Sequence, residues 1–341
     1  MNAIPSGAGR SAPVAVSAVV LAAFLVAALW PEPAVAQAPP VLPRIGVLSF
    51  FPAPTATSPD RNEAGFREGL REAGYVVDRN IVVERRYADG RADRLAAMAE
   101  ELVRLKVDVI LAGGQPAREA ARRATKTIPI VTLSGSDPVR EGWARSLAQP
   151  GGNVTGLTFT FPELAVKRLE LLKEALPTLS RVAVLIDPIE VVDSVDVLRE
   201  TEAGAGRLGL QMQLLEIHGR KDLEAAFAKA RRGRAEAVVA MAMWPHRDEV
   251  AALAARSRLA LMGEGSHEAQ AGFLIAYGAD LDDLVRRSAI QLARILKGAR
   301  AGDMPIERPT KFRLSVNMKT ARAIGVTIPR SLLARADEVI E

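Results

Sequence analysis

The chain is 341 residues long, 49% hydrophobic, 25% charged and 4% aromatic, which fits two globular domains that each bury a core without staples. Having no cysteine, it excludes disulfides, thiolate sites and a lipidated N-terminal cysteine. The net charge of +5 comes from basic residues scattered among acids, as in Glu84-Arg85-Arg86, with no basic stripe or aromatic platform, which argues against a nucleic-acid partner.

Residues 1–38 read as a secretory leader. Arg10 precedes an apolar run from Ala12 to Trp30, Pro31-Glu32-Pro33 breaks it, and Ala34-Val35-Ala36-Gln37-Ala38 offers an Ala-x-Ala site with cleavage after Ala36 or Ala38. The alternative is an uncleaved anchor, because the run is nearly long enough to span a bilayer. The helix-breaking end and the small-residue site favour cleavage. Removing the leader takes away Arg10 and Glu32 and leaves the charge at +5. The expectation is a freely diffusing periplasmic or secreted protein.

After the leader, short β-branched runs alternate with amphipathic segments. Arg44-Ile45-Gly46-Val47-Leu48-Ser49-Phe50 predicts a buried strand. Glu63 to Ala73 keeps Phe66 and Leu70 on one helical face, and Gly74 stops it. Strand Ile81–Tyr87, helix Asp93–Leu105, strand Val107–Ala112, helix Pro116–Thr125 and strand Ile128–Leu133 follow. This β-α-β-α order predicts a parallel sheet with helices on both faces. The pattern then restarts. Arg181-Val182-Ala183-Val184-Leu185 restates Arg44-Ile45-Gly46-Val47-Leu48 at an offset of 137 residues. Helix Val195–Arg207, strand Gln211–Ile217, helix Asp222–Arg231, strand Ala237–Ala242 and strand Leu259–Met262 complete the second set.

The fold class read from this is α/β: two doubly wound parallel-sheet lobes of similar topology joined by a multi-strand hinge. Three extended segments are expected to cross between the lobes: Pro150–Phe159, Gly272–Gly278 and Thr310–Asn317. Helix Leu281–Leu296 has no partner in the repeat and is expected to pack back on the first lobe. The expected division is an N-lobe of 44–156 plus about 280–310 and a C-lobe of 157–279 plus about 311–341.

Ligands of open parallel sheets bind beyond the carboxyl ends of the strands. In the first lobe those ends carry Ser49 and Phe50, then Gly113, Gly114 and Gln115, then Ser134, Ser136 and Asp137. In the second they carry Asp187, Trp244 and Glu264, with Tyr277 on the outgoing segment. The glycine pair lets backbone approach a ligand, Pro116 suits a first helical turn, and the free N–H groups there hold a carboxylate or other anion. The same residues also serve as a plain strand-to-helix turn. Ser134 and Asp137 either cap the next helix or meet a ligand amine. Trp244 and Tyr277 either stack on a ring or pack the hinge.

Catalytic signals are poor. His218, His246 and His267 lack metal-ligand spacing, His267-Glu268 reads as a loop, and there is no nucleophile elbow or Walker loop. Gly204-Ala205-Gly206-Arg207-Leu208-Gly209 matches the dinucleotide fingerprint, but it closes a predicted helix where the fingerprint must open one. No cofactor and no metal are expected.

Several of these segments resemble the ABC-transporter substrate-binding proteins of the tryptophan/tyrosine-type family. They are Arg44-Ile45-Gly46-Val47-Leu48, Phe66-Arg67-Glu68-Gly69-Leu70-Arg71-Glu72-Ala73-Gly74-Tyr75, Asp137-Pro138-Val139, Pro150-Gly151-Gly152-Asn153-Val154-Thr155-Gly156, Lys167-Arg168-Leu169-Glu170-Leu171-Leu172, Pro309-Thr310-Lys311-Phe312 and the ending from Ser331 to Glu341. The resemblance covers essentially all of the chain after the leader. It implies a type I periplasmic-binding-protein fold that captures a small molecule, an aromatic or other amino acid or a small carboxylate, and delivers it to an ABC permease in the inner membrane. It implies no catalysis, and we expect a monomer. The loops Phe51-Pro52-Ala53-Pro54, Asp187-Pro188-Ile189-Glu190 and Gly263-Glu264-Gly265-Ser266-His267 depart from the family pattern, so membership carries over better than substrate. The rival readings are an extracellular sensor of the same fold and a cleft lyase or isomerase, the latter needing an acid–base pair.

Overall fold

The computed structural model describes residues 42–55, 62–135, 137–159, 162–187, 194–241, 243 and 246–341, with the side chains of 162–163 and 194–196 left aside. The leader expectation falls on residues outside these.

Strands β1 (Arg44–Ser49), β2 (Val82–Tyr87), β3 (Val109–Gly113), β4 (Ile130–Ser134) and β5 (Val154–Thr158) form a wholly parallel sheet in the order β2-β1-β3-β4-β5. Strands β6 (Arg181–Ile186), β7 (Gln211–Glu216), β8 (Ala237–Met241), β9 (Ala260–Gly263), β10 (Ile275–Ala279), β11 (Phe312–Asn317) and β12 (Glu338–Ile340) form a second, in the order β12-β11-β10-β9-β8-β6-β7. The first five strands of each sheet therefore follow one topology. The repeat extends to register: Ile45 pairs with Val109, and Val182, 137 residues later, pairs with Ala237.

Both faces of each sheet are covered, so each strand reads as a nearly continuous apolar run whose alternate side chains feed two layers. In the first sheet Ile45, Val109 and Val131 face helices α1 (Glu63–Glu72) and α9 (Leu281–Leu296), through Phe66, Leu70, Val285, Ala289 and Leu292. Leu48, Ile110 and Ile130 face α2 (Ala92–Arg104) and α3 (Gln115–Ala124), through Leu95, Leu102, Ala117 and Ala121. In the second sheet Val182, Val184 and Ile186 face α4 (Pro162–Ala175) and α5 (Ser194–Arg207), while Ala183 and Leu185 face α6 (Leu223–Arg232) and α7 (Arg247–Ser257). Each fully buried Leu or Ile in these layers contributes about 1.5–3 kcal/mol.

The expected crossings are built into the sheets. Val154–Thr158 is the edge strand of the first, and Ile275–Ala279 lies inside the second. Phe312–Asn317 is also a strand of the second sheet, antiparallel to β10, with Ile275 opposite Val316. Leu314 and Val316 are buried there, and joining the ladder satisfies backbone that a bare crossing would leave open. The remaining helices are α8 (Ser266–Ala271), α10 (Met318–Ile324) and α11 (Arg330–Leu333). The glycine motif at Gly204–Gly209 runs out of the end of α5, with Gly209 in the left-handed region at φ 69°, so it is a helix exit.

Candidate functional site

At the carboxyl edge of the first sheet, Ser49 and Gly113 stand opposite each other in the ladder, as do Ser134 and Thr158. The Phe50 amide donates to the Gly113 carbonyl at 3.0 Å, and the Phe51 amide donates to Ser49 Oγ at 3.1 Å. Phe50 is 8% exposed and meets Phe51 edge to face at 5.9 Å, so its ring belongs to the core beneath the loop. Gly114 sits at φ 91°, and a Cβ there would approach Phe50 Cβ to 3.3 Å. Only glycine holds that corner without strain. Gln115 then opens α3 with Pro116 in its first turn, where backbone N–H groups lack helical partners.

One turn into α3 stands Arg118, 1% exposed on the face it shares with Ala117 and Ala121. Its guanidinium donates from Nη1 to Ser134 Oγ at 2.9 Å and from Nη2 to Glu141 Oε2, and it lies 5.0 Å over the Trp143 ring. Trp143 Nε1 donates to the same Glu141 oxygen at 2.8 Å. Burial pulls the guanidinium below its ordinary pKa, against the opposing pull of Glu141 and Glu119. Arg118 Nε and Glu141 Oε1 are buried without a hydrogen-bond partner. Asp137 is exposed, and its Oδ1 accepts from the Val139 amide at 2.8 Å and the Arg140 amide at 3.2 Å, which caps the following turn. Ser136 lies outside the described residues.

At the edge of the second sheet, Asp187 is buried directly after β6. Glu264 follows β9, and Tyr277 lies in β10 with its ring stacked on Phe312 at 6.4 Å. Arg168 of α4 joins the two: Nη1 donates to Glu264 Oε1 and Nε to the Tyr277 carbonyl, both at 2.8 Å. Gly278 lets β10 pack this closely, since a Cβ there would lie 1.9 Å from the Glu264 carbonyl oxygen. Glu268 Oε2 accepts from the backbone amides of Glu264 and of Gly265. Trp244 lies outside the described residues.

The structure thus gathers Ser49, Phe50, Gly113, Gly114 and Gln115 at adjoining strand ends, and brings Glu264 to Tyr277 through Arg168. Asp187 stands apart, two strands from β9. Arg118, Arg168 and Glu268 are the residues that sequence reading missed. Each had a signal. Arg118 and Arg168 occupy apolar stripes, Arg118 with Ala117 and Ala121 and Arg168 with Ala165, Leu169 and Leu172. His267-Glu268 proves to be helical, inside α8, and Glu268 is 1% exposed. A Gly-Ser step three residues before an acid is a helix start. Among the described residues no group of three His, Cys, Asp or Glu side chains is arranged to hold a metal, and no helix is long and apolar enough to cross a membrane.

A family model described as ABC transporter substrate binding protein matches residues 44–340. A protein named tyrosine-binding protein, from Clostridioides difficile (strain R20291), is 24% identical over 284 residues, covering 78% of this chain and 77% of that relative. The structure of a Streptococcus pneumoniae ABC domain in complex with L-Trp superposes with a TM-score of 0.78 at 24% identity, covering 88% of this chain and 100% of that one. A conserved domain protein from Vibrio cholerae gives 0.79 at the same identity, again over 88% and 100%.

Proposed function

This chain belongs to the ABC transporter substrate-binding protein family, and on that premise we propose that it captures an amino acid, an aromatic one, between its lobes and hands it to a membrane permease without chemical change. The observation that carries this reading is the pair of polar strand-end edges, one rich in donors and one presenting a carboxylate, with an aromatic pair on the neighbouring strands. The amides of Gly114 and Gln115, with Ser49 and Ser134, suit a ligand carboxylate. Glu264, at the end of β9, is assigned the ammonium, and Asp137, whose Oδ1 takes two turn amides, is read as a cap. The Tyr277–Phe312 stack offers an apolar wall. Asp187 lines the end of its own strand, and Phe50 supports the loop from the core. The relatives support the ligand class: one is named for tyrosine, and another was solved with L-Trp.

The N-terminal sequence supports an activity outside the cytoplasm, exercised by a monomer. Thermal melts with the common amino acids and small carboxylates test the reading. A binder at a hundred times its Kd should stabilise the fold by about 2.7 kcal/mol. A set in which none raises the melting temperature overturns it. The mass of protein recovered from the periplasm of an expressing bacterium, beginning at Gln37 or Pro39, tests the export.

A further inference from the structure

The Glu264 turn is held from below by a second carboxylate that the reading above does not use. Glu268 is 1% exposed, on the first turn of α8, and its Oε2 takes both the Glu264 and the Gly265 amides. Its other oxygen, Oε1, is buried without a hydrogen-bond partner. Arg168 grips the same turn, with one nitrogen on Glu264 Oε1 and another on the Tyr277 carbonyl. Two carboxylates and one guanidinium therefore share a nearly dry cluster under the wall assigned to the ligand ammonium.

We infer that Glu268 is a positioning residue for ligand recognition: it shapes the turn that presents Glu264 and, by holding or releasing a proton, sets the charge that this wall offers to an ammonium group. The inference rests on the amino-acid reading above. With Glu268 protonated, Glu264 and Arg168 cancel. With Glu268 ionised, the wall carries one net negative charge, which an ammonium beside Glu264 would neutralise. Burial, and then the nearby Glu264 charge, push the Glu268 carboxyl up to about 7, against the two amides and Arg168. The cluster therefore changes charge near neutral pH, and ligand binding and proton release must favour each other.

Other charged groups on the elements packed around α8 are engaged elsewhere. On α8 itself His267 lies 3.8 Å from Asp282, on β12 Glu338 bonds Ser315 and Gln270, on β11 Arg313 pairs with Asp280, and on α7 Arg247 lies by Asp248. A free α-amino acid is a zwitterion throughout pH 5.5 to 8, so a pH dependence of its affinity in that window belongs to the protein.

The test is titration calorimetry with L-tyrosine and L-tryptophan from pH 5.5 to 8, on the wild-type protein, Glu268→Gln and His267→Gln. Gln keeps an oxygen for both turn amides but cannot ionise. The wild type and His267→Gln should bind about tenfold more tightly at pH 8 than at pH 5.5, the effect of one pKa unit released on binding, and Glu268→Gln should be flat. A wild type that is flat, or a Glu268→Gln profile that keeps the wild-type slope, overturns the inference. If neither amino acid binds, the ligand assignment fails and the ligand-free protein decides. Its Glu264 and Gly265 amide resonances should then shift together with a midpoint near 7, and that midpoint should fall in Glu264→Gln. Resonances that do not move overturn the inference even if Glu268→Gln fails to fold.

Discussion

Arg118 Nη1 donates to Ser134 Oγ across 2.9 Å, mooring the first helical turn after β3 to the last residue of β4. A guanidinium this buried is tolerable only because Glu141 and the Trp143 face share the site with it. The mooring sets the spacing of the two strand ends.

Removing that cation should cost more than the contacts it makes. Arg118→Ala strands Glu141 in a buried place and should lower stability by about 3–5 kcal/mol, measured by urea unfolding. Ser134→Ala leaves one guanidinium nitrogen without its acceptor and should cost about 1–3 kcal/mol. An Arg118→Ala protein as stable as the wild type would show that the network carries no structural weight.

Stability should also depend on pH through Glu268. Its carboxyl sits at about 7 in the fold and near 4.5 unfolded, so between those values the folded state holds a proton that the unfolded chain has lost. The contribution is complete below pH 4.5 and is lost as the pH rises through about 7, on the order of 3 kcal/mol in all. The urea midpoint of the wild type should fall from pH 5 to pH 8, and that fall should shrink in Glu268→Gln.

Gly278 is a steric prediction. An alanine Cβ would sit 1.9 Å from the Glu264 carbonyl oxygen, so either β10 or the turn must move. Gly278→Ala should cost about 1–3 kcal/mol as overpacking and weaken ligand binding about tenfold or more (1.4 kcal/mol per decade). Circular-dichroism melts and calorimetry on the same preparation measure both, and an unchanged affinity would remove Glu264 from the ligand wall.

Asp137 separates a cap from a contact. Its Oδ1 serves two backbone amides, so Asp137→Ala should lose about 0.5–2 kcal/mol of stability. Ligand affinity should stay within a factor of about two (0.4 kcal/mol). A tenfold loss of affinity without loss of stability would return the ammonium contact to Asp137.

Much of the fold was readable because it is written in short-range periodicity. The apolar run at Arg44–Leu48 and its echo at Arg181–Leu185 call for strands, and the helical stripes between them call for a covered parallel sheet. The corner at Gly114 and the helix exit at Gly209 were legible for the same reason, since one residue's backbone requirement decides each. Phe312–Asn317 was recognised as extended, but nothing local says whether such a segment crosses between lobes or adds to a sheet. Its antiparallel pairing with β10 depends on a partner about forty residues away, outside any local window.

The site divides along the same line. Residue order alone determined that Ser49, Gly113, Ser134 and Glu264 lie at or just past the ends of their strands, because a strand's end is a local event. Only the tertiary structure decided that Arg118 reaches Ser134, that Arg168 clamps Glu264 from 96 residues away, and that Glu268 lies buried beneath the same turn. Those pairings arise because a charge on an apolar stripe, once its helix docks, must find a partner wherever the packed layers supply one, and the partner's position is a property of the packing.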